Sequence, residues 1–170
     1  MKKLGFILLL MANNGFAYDR ASYGQWNDTD GNCLDTRKEI LKKSAIEIKI
    51  DNCKITYGKW KDEYTGLEYN NQNTFDIDHV IPIQYADSVG ASKWNRELKI
   101  KFYNDPLNLM ITSKSQNRSK GSKGLSQWMP PNREFRCTYV ELWQVVSNKY
   151  NLTLKPPELK IIDYYKLICK

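Results

Sequence analysis

The amino-acid sequence predicts an α+β domain in which short antiparallel strands precede a helical C-terminal part. Apolar residues alternate with polar ones at Ile46, Ile48 and Ile50, as in a half-buried strand. Towards the C-terminus, apolar side chains recur at spacings of three and four, as on one face of a helix. The chain has 170 residues, of which 41% are hydrophobic, which is enough to form one hydrophobic core.

The first elements are a helix, a hairpin and a loop. Thr36 is followed three residues later by Glu39, a capping-box pattern that predicts a helix over residues 37–44. Alternation within residues 46–57, interrupted by an Asp-Asn pair, predicts a β-hairpin. A polar segment rich in Asn and Tyr over residues 61–73 is expected to form a loop.

Two more short strands and a short helix follow. The apolar and β-branched run 75–83 predicts one strand, and residues 107–111 predict a second. The region around Trp94 lies between them and is compatible with a helix. Ser113 begins a second capping-box pattern, which predicts a short helix ending at Gly121.

Two amphipathic helices are expected at the end of the chain. The first carries a stripe of apolar residues at helical spacing, namely Phe135, Tyr139, Leu142, Trp143, Val146 and Tyr150. The second begins at Pro157 and carries Leu159, Ile162, Tyr165 and Ile168. We interpret both stripes as parts of the core rather than as platforms on which nucleotide bases stack.

The first residues have the pattern of a secretory signal peptide. Two lysines precede the apolar run 4–11, and the small residues Gly15 and Ala17 stand where a signal peptidase would cut. Cleavage after Ala17 removes residues 1–17 and leaves 18–170 as a single domain. We therefore expect a protein that is secreted or periplasmic.

Export favours disulfide bonds over metal-bound thiolates for the four cysteines. None of them lies in a CxxC pair, and three connectivities are open. Of these we favour the two bonds that are local in sequence, Cys33–Cys53 and Cys137–Cys169. The second would join the two C-terminal helices.

Composition excludes several classes of protein. Beyond the N-terminus there is no run of ~20 apolar residues, so no membrane-spanning helix is expected. The sequence contains neither GxxxxGK[ST] nor GxGxxG, which argues against nucleotide-dependent chemistry. With a single histidine, a zinc site built from several histidines is impossible.

Positive charge is concentrated in the middle of the chain. The net charge is +7 and the pI is about 9.1, and residues 93–136 alone contain ten basic and three acidic side chains. Such a concentration suggests a polyanionic partner, although a solvated surface that aids solubility would look the same.

Three motifs carry the chemistry: Asp76-Ile77-Asp78-His79-Val80-Ile81-Pro82, then Asn104-Asp105-Pro106-Leu107-Asn108-Leu109, then Ser115-Gln116-Asn117-Arg118-Ser119-Lys120-Gly121. Two carboxylates stand beside the only histidine, a residue suited to take a proton from water. Carboxylate and carboxamide oxygens favour a hard cation such as Mg²⁺ or Mn²⁺. A hard cation next to a general base suits phosphodiester hydrolysis.

In order and spacing, these motifs resemble the secreted branch of the HNH endonucleases, members of the ββα-metal (His-Me finger) nuclease superfamily. The resemblance covers roughly residues 20–150. It implies a ββα-metal finger core, two short antiparallel strands plus a helix, over about residues 74–121. This core would be embedded in a single helical, disulfide-stabilised domain.

The resemblance also implies roles for individual residues. His79 would be the general base, while Asp78 and Asn117 would hold one Mg²⁺ or Mn²⁺ ion. Asn108 would brace the loop between the strands. Asp76 is also assigned to the catalytic group. Its role is open: it would bind either the water molecules on the metal or His79.

The expected substrate is nucleic acid. Arg118 and Lys120 match positions that face substrate phosphates, and Lys114 and Lys123 extend the basic patch. DNA is expected from the resemblance only, and RNA stays open as a further substrate. We also expect little sequence specificity, a monomeric protein and no membrane association after signal removal. The alternative is an exported module that binds polyanions or DNA through an inactive, nuclease-like site.

One geometric expectation follows from strand periodicity. Neighbouring side chains of a regular strand point to opposite faces, so Asp78 and His79 can reach one phosphate only where the strand ends or bends. We therefore expect regular pairing to stop within a residue or two of His79, near Pro82.

Overall fold

The computed structural model describes residues 18–169, so the predicted signal peptide lies outside the described residues. Five strands form two antiparallel sheets: β1 (Ala45–Asp51), β2 (Lys54–Lys61), β3 (Glu68–Tyr69), β4 (Phe75–His79) and β5 (Leu109–Ser113). Six helices accompany them: α1 (Thr36–Lys43), α2 (Ile83–Ser88), α3 (Arg96–Tyr103), α4 (Lys114–Lys120), α5 (Arg136–Lys149) and α6 (Pro156–Ile168). The α+β prediction is confirmed.

The two sheets are separate. One has three strands in the order β1-β2-β3, and the predicted hairpin forms its first pair. The other consists of β4 and β5 alone. The segment expected to be a plain loop over residues 61–73 contributes the short strand β3, which pairs with the end of β2.

Strand boundaries near the site differ from the sequence expectations because of two prolines. The strand expected over 75–83 ends at His79, three residues before Pro82. The strand expected over 107–111 begins instead at Leu109, because Pro106 starts a 3₁₀ turn. Proline lacks a backbone donor and cannot extend the ladder in either place.

Helix starts also differ in detail. Helix α1 is capped by Asp35, whose side chain accepts a hydrogen bond from the Lys38 amide, rather than by Thr36. Ser113 precedes α4, but its side chain makes no capping bond. Gly121 ends α4 with a φ of +54°, a conformation that glycine adopts without strain, as expected.

Buried apolar residues form two clusters. The smaller includes Ile40 and Leu41 of α1, Trp60 of β2, Phe75 and Ile77 of β4, and Ile111 of β5. The larger contains Val80 and Ile81, which directly follow β4, and aromatic residues of α2, α3 and α5. Strand β4 and the loop after it are therefore anchored in both clusters.

The apolar stripes predicted for the two C-terminal helices are only partly buried. Tyr139, Trp143 and Val146 of α5 are buried, which confirms the prediction for that helix. In α6, Ile162 is buried, whereas Leu159 and Ile168 are about half exposed. The stripe of α6 is thus narrower than predicted.

Both predicted disulfides, Cys33–Cys53 and Cys137–Cys169, are present. The first links the segment before α1 to the β1–β2 turn, and the second links α5 to the end of α6. Among residues 18–169, no helix is both long enough and apolar enough to cross a membrane.

Candidate active site

Strands β4 and β5 and helix α4 carry the three sequence motifs. The strands pair in register from Phe75 opposite Ser113 to His79 opposite Leu109. One further backbone bond, from the Val80 amide to the Asn108 carbonyl (2.8 Å), closes the pair. Regular pairing therefore stops at His79, which confirms the expectation from strand periodicity.

A cleft of about 290 Å³ opens where this pair ends. Asp78, His79 and Asn117 all line it, so the structure brings three of the predicted site residues to one place. Tyr18 and Arg20, from the start of the described chain, line the same cleft.

His79 is almost completely buried, with 5% of its surface exposed. Its Nε2 lies 2.8 Å from the carbonyl oxygen of Tyr103. Because a carbonyl only accepts, Nε2 carries the proton, and in the neutral ring Nδ1 keeps its lone pair. The indole of Trp26 stacks on the imidazole, with ring centroids 5.6 Å apart and planes within 8° of parallel.

Burial lowers the pKa of His79 to about 3. The positive charges of Lys120 and Arg20 act in the same direction, and the bond to Tyr103 opposes them. The imidazole is therefore neutral at physiological pH and able to accept a proton at Nδ1.

Asp78 forms a buried ion pair. The Lys120 ammonium lies 3.0 Å from its Oδ1 and 2.8 Å from its Oδ2, and the Tyr64 hydroxyl donates to Oδ2 at 2.8 Å. Burial raises the pKa of the Asp78 carboxyl, while Lys120 and Tyr64 act to lower it. The carboxylate is thus balanced by a cation of the protein itself.

Lys120 does not occupy the place expected of a phosphate contact. Its side chain is completely buried, and its ammonium also donates to the His79 carbonyl oxygen at 2.7 Å. Burial lowers the pKa of Lys120, and Asp78 opposes this effect. Within this pocket the lysine joins α4 to the end of β4 and does not face solvent.

Asn117 and Asp76 lie side by side. The Asn117 amide donates through Nδ2 to Asp76 Oδ2 at 3.1 Å. This bond uses the amide nitrogen and leaves the amide oxygen, the atom that a cation would contact, out of it. Asp76 therefore neighbours Asn117 of α4 rather than the imidazole.

Asn108 is completely buried beneath the loop that follows His79. Its Oδ1 accepts from the Ile81 amide at 2.8 Å, and its Nδ2 donates to the Ile81 carbonyl at 3.3 Å. Together with the backbone bond from Val80, these contacts fix the chain immediately after the catalytic candidate.

The donor set fits a hydrated magnesium ion. Mg²⁺ is usually held by one or two carboxylates and keeps several waters, and the Asp78 carboxylate and the Asn117 amide line the cleft. Both Asp78 oxygens already accept hydrogen bonds from Lys120 or Tyr64, so an ion would share this carboxylate with them. Within residues 18–169, no group of three or more His, Cys, Asp or Glu side chains is arranged to hold a metal. Water and substrate would therefore supply most of the ligands of an ion bound here.

The other basic candidates lie on or next to α4. Arg118 and Lys123 are exposed, and Lys114 is partly buried at the first turn. The Lys123 ammonium donates to the Ser119 carbonyl, which turns it back over the helix end. None of these three side chains lines the cleft itself.

Four site residues were not identified from the sequence: Tyr18, Arg20, Trp26 and Tyr64. The first three belong to a segment with no periodicity or motif, and Tyr64 sits in a region read as a loop. Tyr103 was missed as well, because it contributes a backbone carbonyl, which no side-chain motif reveals.

Comparison with known proteins places this geometry in context. Residues 34–154 match the family model described as GmrSD restriction endonucleases, C-terminal domain. A protein of Arthroderma benhamiae described as an uncharacterized secreted protein is 31% identical over 144 residues, or 83% of this chain and 70% of that protein. No solved structure gives a significant match. The matched range includes β4, β5 and α4 but not the segment before residue 34.

Proposed function

Because the chain belongs to the GmrSD restriction endonuclease C-terminal domain family, we propose that it is a secreted, metal-dependent endonuclease that hydrolyses phosphodiester bonds of DNA. This family membership confirms the resemblance to the HNH-type nucleases. The secreted relative supports export of this chain, and the concentration of positive charge in residues 93–136 supports a nucleic-acid substrate.

The observation that carries the proposal is the state of His79. Its ring is neutral, its Nε2 is committed to the Tyr103 carbonyl, and it lines the cleft that also contains Asp78 and Asn117. In the reaction, Nδ1 takes a proton from a water molecule, whose oxygen bonds to phosphorus as the bond to the 3′ oxygen breaks, and that 3′ oxygen takes a proton from solvent. The products carry 5′-phosphate ends.

Bound substrate makes His79 a better base. Burial and two nearby cations hold its pKa low without substrate. A phosphate entering the cleft brings negative charge, which stabilises the imidazolium and raises the pKa. A divalent cation at Asp78 would act in the opposite direction, so the phosphate charge offsets only part of the lowering of the pKa.

Mg²⁺ or Mn²⁺, held by Asp78 and Asn117, would supply neutralisation of the charge that develops on the phosphate and the leaving oxygen. Lys120 and Tyr64 orient the Asp78 carboxylate through three bonds. Asp76 does the same for Asn117, since its bond to Nδ2 fixes which way the amide is turned. Asn108 keeps the loop after His79 in position.

Low sequence specificity follows from the kind of contact available. The exposed cations beside the cleft, such as Arg118, are suited to phosphates, and phosphate contacts carry no sequence information. The protein is expected to act as a monomer and without a membrane.

The direct test is cleavage of supercoiled plasmid by the purified protein with Mg²⁺ and with EDTA. Nicking should require the metal, and His79→Ala should lower the rate by ~10²–10⁴-fold because proton transfer is lost. DNA affinity of this variant, measured in EDTA, should stay close to that of the wild type.

A matched control is Ser122→Ala, which changes another residue that lines the cleft but has no assigned role. Circular dichroism should show that both variants fold. Full activity of folded His79→Ala would exclude His79 as the base. Retardation of DNA without cleavage by the wild type would favour the alternative, an exported DNA-binding module with an inactive site.

A further inference from the structure

The segment formed by residues 18–26, here called the N-terminal arm, reaches the catalytic cleft although it lies outside the family match. That match begins at residue 34. Tyr18 and Arg20 line the cleft with His79, and Trp26 stacks on the His79 ring. The arm thus contributes side chains to a site whose motifs all lie within the matched range.

The arm is held in place by specific contacts. Tyr23 is completely buried, and its hydroxyl donates to Asp87 at 2.9 Å. The Asn104 amide bridges the two chain segments, because its nitrogen donates to the Gln25 carbonyl and its oxygen accepts from the Asn27 amide, each at 3.0 Å. These contacts fix the arm against α2 and the end of α3.

Arg20 is the unsatisfied cation of this arm. Its side chain is exposed, and within the described part of the chain it forms no ion pair with a carboxylate. Its guanidinium lies 5.7 Å from the centre of the Tyr103 ring, the residue whose carbonyl binds His79. A planar guanidinium on an aromatic face at the edge of a cleft is well placed to bind phosphate with two parallel bonds.

We propose that Arg20 is a substrate contact, which binds the phosphodiester backbone of the nucleic acid next to the bond that is cleaved. The inference rests on the proposed nuclease function, since the ligand is the backbone of that substrate. It extends the active site to the N-terminal arm and gives the arm a function in binding. Arg20 lies on the His79 side of the cleft, whereas Arg118 extends from α4.

The test is binding of a fluorescently labelled DNA duplex, measured by anisotropy in EDTA so that no cleavage occurs. Arg20→Ala should raise Kd by roughly tenfold, as expected for loss of a charge-assisted hydrogen bond. It should also lower the slope of log K against log salt by about 0.9, the value for one phosphate contact. Arg20→Lys should keep the slope.

The control is Arg96→Ala, which removes an exposed arginine that does not line the cleft. Its effect on Kd should be clearly smaller, and both alanine variants should melt at the wild-type temperature. In Mg²⁺, Arg20→Ala should mainly raise KM and leave kcat nearly unchanged, because Arg20 contacts the phosphate in the ground state as well as in the transition state.

The outcomes separate the two proposals. If the wild type neither binds nor cleaves DNA, the proposed function is wrong and the role of Arg20 with it. If the wild type binds and cleaves but Arg20→Ala binds with the same Kd and salt slope, only the role of Arg20 is excluded. A lower melting temperature with unchanged affinity would make Arg20 a structural residue.

Discussion

The imidazole of His79 is kept neutral by its surroundings across the physiological pH range. Its burial and the stacked indole of Trp26 leave little room for a solvated positive charge, and this effect outweighs the bond to Tyr103, which acts to raise the pKa. The same features that prepare a base for catalysis therefore couple the stability of the fold to pH.

The first prediction concerns this coupling and is made for the metal-free protein. The pKa of His79 is about 3 when folded, against 6.5 for the ordinary histidine of an unfolded chain. Between these values the unfolded chain binds the extra proton, so the free energy of unfolding falls as pH is lowered from about 6.5. One proton contributes a slope of at most about 1.4 kcal/mol per pH unit.

Urea unfolding in EDTA between pH 7 and pH 5 measures this slope. His79→Gln removes the only histidine of the chain, so its stability should depend less on pH than that of the wild type. The difference between the two slopes isolates the contribution of His79 from that of the carboxylates. Equal slopes would mean that the ring is solvated in the native state.

Some site residues could be predicted from the sequence and others could not. The motif order brought Asp78, His79 and Asn117 together correctly, because two paired strands and the following helix leave little freedom. Lys120 was expected to face substrate phosphates, but Asn117 and Lys120 stand three apart on one helix and so share a face. Helical periodicity could have placed the lysine toward β4.

At the level of elements, the types were predictable and the boundaries were not. Hairpin alternation and helical spacing depend on local pattern, which a sequence displays directly. The position of the α1 cap depended on tertiary contacts instead. The Thr36 hydroxyl lies 2.7 Å from the Asn104 amide oxygen and 2.9 Å from the Asn27 carbonyl oxygen, so its one proton is directed at these acceptors, and Asp35 caps the helix.

The second prediction concerns the link between α5 and α6. Helix α6 buries only part of its apolar stripe, and the Cys137–Cys169 bond joins its C-terminal end to α5. The double substitution Cys137→Ser/Cys169→Ser should lower the free energy of unfolding by roughly 3–4 kcal/mol, the chain-entropy value for a loop of this length.

Activity of this double variant is the informative control. No residue of α6 lines the catalytic cleft, so at a temperature where the variant stays folded, plasmid nicking should match the wild type. Chemical denaturation and the nicking assay should be run on the same preparation. A folded variant with reduced nicking would contradict this expectation and show that the position of α6 affects the cleft.

For the whole molecule, the most basic stretch of sequence contributes Asn117, Gly121 and Ser122 to the cleft, while its lysines and arginines lie outside the cleft lining. Residues 93–136 include α3, which ends at Tyr103, and α4, which carries Asn117. The contribution of the N-terminal arm was not predictable, because its contacts with His79 and Asn104 join parts of the chain that are far apart in sequence. The distribution of charge can be read from the sequence directly, whereas contacts between distant segments cannot.

The last prediction follows from this distribution of charge. Removing three cations next to α4 with Lys114→Ala/Arg118→Ala/Lys123→Ala should weaken duplex binding and lower the slope of log K against log salt. Each side chain that contacts a phosphate contributes about 0.9 to that slope. The control removes the same charge from exposed lysines of the α6 region, Lys155, Lys160 and Lys166. If net charge alone governed binding, both triple variants would lose affinity equally; if the cleft governs it, only the α4 variant changes the slope.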